Sequence, residues 1–204
     1  ADHLQFTIVQ MEWGFLPAYL HNREAVHKFR FGYTDAAGRY HHPITTLNAV
    51  GEEMLLPGKM YREAALQRRC LVLSTGFFEW RHVHPLGKKG QPLKTPIKYP
   101  YFISVTDQPY FLMAGVYQSW TDKDTGELVN TFAIVTTKAN DLMAQVHNSK
   151  KRMPLILDDA LAYEWLLGVS DEKRIQEIVR TVYPASQMRA VSIAKNFREL
   201  LHPA

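Results

Sequence analysis

The sequence predicts an α+β domain built mainly of antiparallel β-sheet, with a barrel-like core and helices at the periphery. Three observations lead there. Runs rich in aromatic and β-branched residues crowd the middle of the chain, from Cys70 to Thr137. Most segments with helical spacing and capping residues follow Lys138. The two classes are grouped and do not alternate, as a parallel α/β sheet would require. With 204 residues the chain is long enough for one well-cored domain and short for two, so a single domain over 1–204 is expected.

Leu4 to Met11 reads as a first strand, with Phe6, Ile8 and Met11 among its apolar residues, and Trp13-Gly14-Phe15-Leu16-Pro17 ends it in a turn. Residues 21–46 are rich in His, Arg, Lys and Gly without a clear period and are expected to be mostly loop. Pro57-Gly58 precedes a short helix over Lys59–Arg69, with Met60, Ala64, Ala65 and Leu66 toward the core. Cys70–Ser74 and Phe77–His82 are strands divided by Thr75-Gly76, and residues 84–98 are a solvated loop. Tyr99–Val105, Tyr110–Trp120 and Val129–Thr137 are strands, the last two joined by a turn at Asp122–Gly126. Helices are expected over Lys138–Val146, over Ala160–Leu167 behind Asp158-Asp159 and stopped by Gly168, and over Asp171–Tyr183. Met188–Ile193 returns to the sheet as a strand.

Composition narrows the function classes. Hydrophobic residues make up 46% and charged residues 22%, which suits a globular protein and argues against disorder. No apolar run approaches the ~20 residues that span a bilayer. The opening does not resemble a signal peptide. The lone cysteine, Cys70, excludes an internal disulfide framework and fits a reducing, cytoplasmic location. Basic residues exceed acidic ones by 24 to 20, a net charge of +4, compatible with nucleic-acid binding and equally with a basic protein that has no polyanion partner. The chain opens directly on a strand pattern without methionine, so residues in front of it are expected to be missing.

Three polar residues attract notice. Glu79 lies inside Gly-Phe-Phe-Glu-Trp: either a solvent-facing strand residue or a general acid/base tuned by aromatic walls. His147 follows a helix and is either a capping histidine or a proton shuttle. Asn48, in Thr-Leu-Asn-Ala-Val-Gly-Glu-Glu, could simply close an Asx turn. His82 and His84 lack partners at metal-site spacing, so neither metal nor cofactor is expected. Asp122, Asp124 and Glu127 fit a hairpin turn better than a calcium loop. There is no Gly-rich phosphate loop and no Gly-x-Ser-x-Gly elbow. Cys70, within a strand, reads as a small core residue; a thiol hydrolase built on it is a distant alternative.

The order of the motifs is more specific than any one of them. Trp13-Gly-Phe-Leu-Pro, Asn48-Ala-x-x-Glu, Arg69-Cys-Leu-Val-Leu-x-x-Gly-Phe-Phe-Glu-Trp, Phe132-Ala-Ile-Val-Thr-Thr-x-Ala-Asn and His147-Asn…Arg152-Met-Pro-Leu-Ile-Leu follow one another. Together, from about residue 5 to the C-terminus, they resemble the SRAP family, the SOS response-associated peptidase domain of abasic-site processing proteins.

The resemblance implies a sensor of abasic sites in single-stranded DNA. It also implies covalent capture by a cysteine exposed behind the initiator methionine, with lyase and self-processing peptidase activity besides. An α-amine titrates at about 7.7–8.0, so part of it is unprotonated near neutrality and can attack the ring-opened sugar aldehyde. The thiol of the same residue then closes a thiazolidine. Carried over, Asn48 would orient the reacting terminus and sugar, Glu79 would move protons during ring opening, and His147 would serve the sugar oxygen. Arg152 would hold phosphate, with Lys59 and Arg62 as further contacts, and Tyr19 and Trp13 would stack on unpaired bases. Three departures stand out. The chain opens at Ala1-Asp2 and not with Met-Cys-Gly-Arg; Val50 replaces an arginine common two residues after the asparagine; two extra residues separate His147 from Arg152. A monomer is expected. The rival reading is a single-stranded DNA binding module without catalysis.

Overall fold

The computed structural model describes residues 6–168 and 171–199. The chain runs through β1 (Glu12–Trp13), α1 (Arg23–Phe31), β2 (Tyr33–Thr34), β3 (Tyr40–His41), β4 (Asn48–Val50), α2 (Arg62–Gln67) and β5 (Arg69–Ser74). Then come β6 (Phe77–Val83), β7 (Ile97–Val105), β8 (Phe111–Thr121), β9 (Leu128–Lys138), α3 (Asp141–Val146), β10 (Arg152–Pro154) and β11 (Ile156–Leu157). Helices α4 (Asp159–Leu167) and α5 (Glu172–Ile178), strand β12 (Met188–Ser192) and a 3-10 turn at Phe197–Glu199 complete it.

The hairpin β8–β9 is the spine. Its turn is fixed by Asp122, a buried carboxylate that accepts hydrogen bonds from the backbone N–H groups of Arg23, Asp124 and Thr125. β5 pairs antiparallel with β8, and β1 and β4 pair parallel with β9. The β8–β9 ladder stops at Gly115↔Ile134. Beyond that point the strands splay and β10–β11 enters the fork. Arg152–Pro154 pairs with β9 and Ile156–Leu157 with β8. Between them, Leu155 donates to the Val135 carbonyl at 2.8 Å and accepts from Ala114 N–H at 2.9 Å. Its side chain is fully buried.

A second sheet, β12-β7-β6, is antiparallel throughout. The pleat of the spine serves both layers. Ala114, Val116, Ala133 and Val135 face α2, α4 and α5, and their small size lets Trp165, Ile175 and Ile178 approach. Phe111, Met113 and Ile134 face the other way, where they meet Ile103 and Val105 of β7 and Met143 and Val146 of α3. The architecture is therefore α+β and mainly antiparallel, as the sequence predicts. The expected barrel is replaced by two sheets sharing a core: among the described residues no ladder joins them into a closed ring.

Several elements differ from expectation. In the first expected strand Leu4 lies outside the described residues, and residues 6–11 make no ladder; Phe6 and Ile8 are exposed. Residues 21–46 contain α1, capped by Asn22, whose side chain accepts from Ala25 N–H, and the hairpin β2–β3. Only Val26 and Phe29 of α1 are buried, too sparse an apolar stripe to show a period. The helix expected over 59–69 shortens to α2, because Arg69 already pairs in β5 and Met60 is exposed. That over 171–183 shortens to α5, with Val182 exposed. No described helix is long and apolar enough to cross a membrane.

Candidate functional site

Glu79 lies mid-strand in β6, opposite Tyr101 on β7. Burial pushes its carboxyl above the usual value of 4.5. The nearby charge of His147 and a hydrogen bond from Trp80 N–H to Oε2 at 3.3 Å oppose that rise without cancelling it.

His147 caps the C-terminus of α3, donating its backbone N–H to Met143. Its Nδ1 lies 2.8 Å from the Arg152 carbonyl oxygen. A carbonyl only accepts, so Nδ1 carries the hydrogen and Nε2 is the nitrogen left to exchange a proton. Glu79 Oε1 is 3.6 Å from the same Nδ1, within ion-pair range but beyond a hydrogen bond. The loop between α3 and β10 is held rigidly. Asn148 exchanges two hydrogen bonds with the backbone of His82, at 3.0 and 2.8 Å, and so imitates one more strand beside β6. Lys151, at φ 52°, donates to the His147 carbonyl and closes the loop.

Glu79 and His147 open into a cleft of about 430 Å³. Trp80 and His82 of β6, Lys98 of β7 and Ser149 line it on the sheet and loop sides. Lys195, Phe197 and Arg198, from the segment after β12, line it as well.

None of the other expected site residues is among the residues that line this cleft. Asn48 is exposed on β4, and it is not among the lining residues of the cleft. Its carbonyl accepts from the Tyr61 hydroxyl at 3.3 Å. Trp13 is its neighbour, donating Nε1–H to the Leu47 carbonyl at 2.8 Å and lying nearly parallel to the Phe132 ring. Tyr19 is exposed, edge-on to Phe29. Trp13 and Asn48 thus gather along the β9 edge of the large sheet, Glu79 and His147 at the cleft.

Two links tie these groups together. Glu52, just after β4, receives a bidentate contact from Arg152 at 2.8 and 2.7 Å, and the Arg152 carbonyl holds His147. Burial would raise Glu52, but the hydrogen bonds and charge of Arg152 hold its carboxyl below the usual range. Arg152 also donates to the Thr136 carbonyl at 2.6 Å, so its guanidinium is engaged within the protein. Lys59 pairs with Glu53, and Arg62 with Glu172. The three cations expected to meet phosphate each hold a carboxylate. Val50, at the position of the family's arginine, is partly exposed beside Thr136.

Cys70 is inert by environment. Burial pushes its thiol up to about 12, and Sγ fills the space a side chain at Gly115 would need. Cys70 lies half-buried within β5.

Sequence reasoning missed Asn148, Lys98, Ser149, Lys195, Phe197 and Arg198. The spacing of Asn148 beside His147 offered a weak hint; the last three lie in a tail without a motif.

The profile of the SOS response associated peptidase (SRAP) family matches residues 1–199. The chain belongs to the SRAP family. Among its relatives, the abasic site processing protein YoqW of Bacillus subtilis is 30% identical over 142 residues, covering 70% of this chain and 57% of that protein. The abasic site processing protein HMCES of Gallus gallus is 25% identical over 206 residues, covering 92% of this chain and 53% of that one. This SRAP chain therefore spans little more than half the length of these curated relatives. A crystal structure of a Bacteroides thetaiotaomicron protein superposes with a TM-score of 0.73 at 32% identity, covering 93% of this chain and 71% of that one. A Bordetella bronchiseptica structure at 19% identity and TM-score 0.65, covering 90% and 76%, shares the fold.

Proposed function

We propose that this SRAP chain recognises abasic sites in single-stranded DNA and, where its terminus carries a cysteine, links to them covalently. The observation that carries the reading is the Glu79–His147 pair: a carboxyl raised by burial beside an imidazole with one fixed and one available nitrogen, both opening into one cleft. The printed names of the relatives support the substrate class.

An abasic sugar rests mostly as a closed hemiacetal. Opening it requires a proton at the ring oxygen and removal of one from the C1′ hydroxyl, which an acid and a base close together accomplish. His147, in its doubly protonated form, gives its Nε2 proton to the ring oxygen, and Glu79, as the carboxylate, takes the proton of the hydroxyl. The terminal α-amine then adds to the aldehyde carbon and water leaves, giving an imine. The cysteine thiol adds to the imine carbon, its proton passes to nitrogen, and the thiazolidine closes with the net loss of one water. Proton removal at C2′ of the imine would instead break the bond to the 3′ phosphate, which is the lyase branch. The same pair would deliver the proton to the leaving amine when an initiator methionine is cut away. Asn48 and Trp13 lie on the edge over which the terminus and the flanking bases would approach.

The test is a denaturing gel with an abasic oligonucleotide. The 204-residue chain beginning at Ala1 is expected to bind without a heat-stable cross-link, and the same chain preceded by Met-Cys-Gly-Arg, with methionine removed, to form one. No adduct from the cysteine-bearing form would leave the rival reading, a non-catalytic single-strand binding module. A stable adduct from the Ala1 form would overturn the thiazolidine mechanism.

A further inference from the structure

We propose that Lys98, Lys195 and Arg198 form a phosphate seat on the cleft, holding the backbone of the bound strand beside the damaged sugar. The proposal rests on the reading that the cleft takes abasic DNA, and it names the groups that would grip that ligand.

The β6–β7 register sets His82 opposite Lys98 and Trp80 opposite Pro100, so Trp80, His82 and Lys98 share one face of the small sheet. Of the chain leaving β12, Phe197 and Arg198 lie over that face, while Lys195 packs on Tyr99, which the register sets on the other face, and still lines the cleft. Phe197 is the anchor of this segment: buried, and stacked on Phe78 with ring centroids 4.8 Å apart. The anchor places the Arg198 guanidinium 5.1 Å above the Trp80 ring and brings Lys195 Nζ 4.3 Å from the centre of the Tyr99 ring. Both cations are thereby brought to the cleft that Lys98 lines from the sheet.

Their charge is uncompensated. Arg152, Arg62, Lys59, Arg30 and Arg174 each hold a carboxylate. Among the described residues, Lys98, Lys195 and Arg198 make no ion pair. The one carboxylate lining the cleft is Glu79, whose carboxyl burial raises and which lies 3.6 Å from His147 Nδ1. Three cations that line one cleft without an ion-pair partner favour an anion in it. The anion that suits a planar guanidinium fork between two flexible ammonium groups is a phosphodiester. Contact with phosphate on this side leaves Glu79 and His147 to face the sugar, and the ring of Trp80 to share its face between Arg198 and an unpaired base.

The experiment measures affinity for an abasic single-stranded oligonucleotide against salt concentration. Each phosphate contact removed should make the slope of log K against log salt shallower by about 0.7. The Lys195→Gln/Arg198→Gln variant should therefore lose about 1.4 from the slope. Lys98→Gln, within a strand, should lose about 0.7 by itself. Lys195→Arg/Arg198→Lys, which keeps the charges, should retain the wild-type slope. Lys123→Gln/Lys173→Gln removes equal charge from exposed positions that do not line the cleft and should also leave the slope unchanged. Wild-type binding with an unaltered slope in the seat variants overturns the seat alone. Wild-type protein with no preference for the abasic strand overturns the functional reading, and the seat with it.

Discussion

At the scale of single residues, Glu79 combines a proposed chemical role with a cost to stability. Its carboxyl titrates above the ordinary value of 4.5 because burial disfavours the charged form. The folded state then binds the proton more tightly than the unfolded chain. Stability falls as pH rises from the unfolded value to the folded one, and above that the full penalty is present. Glu79→Gln should therefore raise Tm at pH 7 to 8, with the gain vanishing below about pH 4, where both forms are neutral. The same variant of the cysteine-bearing form should slow cross-linking by about 100-fold or more, the usual share of a positioned proton carrier. A Tm unchanged at pH 7, or one that falls, would show that the carboxylate is not desolvated as described. Thermal melts across pH and a cross-linking time course make both checks.

At the scale of elements, the loop from His147 to Lys151 sets the geometry. Asn148→Ala removes both hydrogen bonds to the His82 backbone and should cost about 1 kcal/mol of stability, since they are neutral and exposed. Cross-linking should slow by about 10-fold, because the imidazole loses its fixed orientation while remaining present. An unchanged rate would mean that the Arg152 carbonyl alone orients His147. Much at this scale could be read beforehand. The middle strands were legible because aromatic and β-branched runs end at turn residues, as at Asp122–Gly126. Glu79 and His147 stood out by residue type within motifs. By contrast α1 was hidden: its buried face is two residues, and its stability comes from Asn22, from the Glu24–Lys28 pair and from packing on Trp120. The Glu52–Arg152 pair was equally invisible, because its partners lie 100 positions apart and no spacing connects them. Lys195 and Arg198 enter the cleft only through the stacking of Phe197 on Phe78, a contact between distant segments.

At the scale of the whole molecule, the fork between β8 and β9 decides stability. Leu155 occupies it, contributing to the core shared with the helices while its backbone bridges both strands. Leu155→Ala should cost about 2–5 kcal/mol, at the upper end if the fork cannot close over the cavity. Because the same segment carries the Arg152 carbonyl, the variant should also weaken the orientation of His147. Urea denaturation followed by far-UV circular dichroism and by tryptophan fluorescence would report both the loss and whether one transition serves the whole chain. A loss well below 1 kcal/mol would show that the segment is peripheral. The fork has a temporal consequence too. A nascent chain can form the β8–β9 hairpin as soon as Lys138 has emerged, since its contacts are local. His147 can acquire its partner only when Arg152 and the residues that fill the fork have been synthesised. Until then His147 lacks the Arg152 carbonyl that fixes its ring, and the half-made chain has no assembled Glu79–His147 pair.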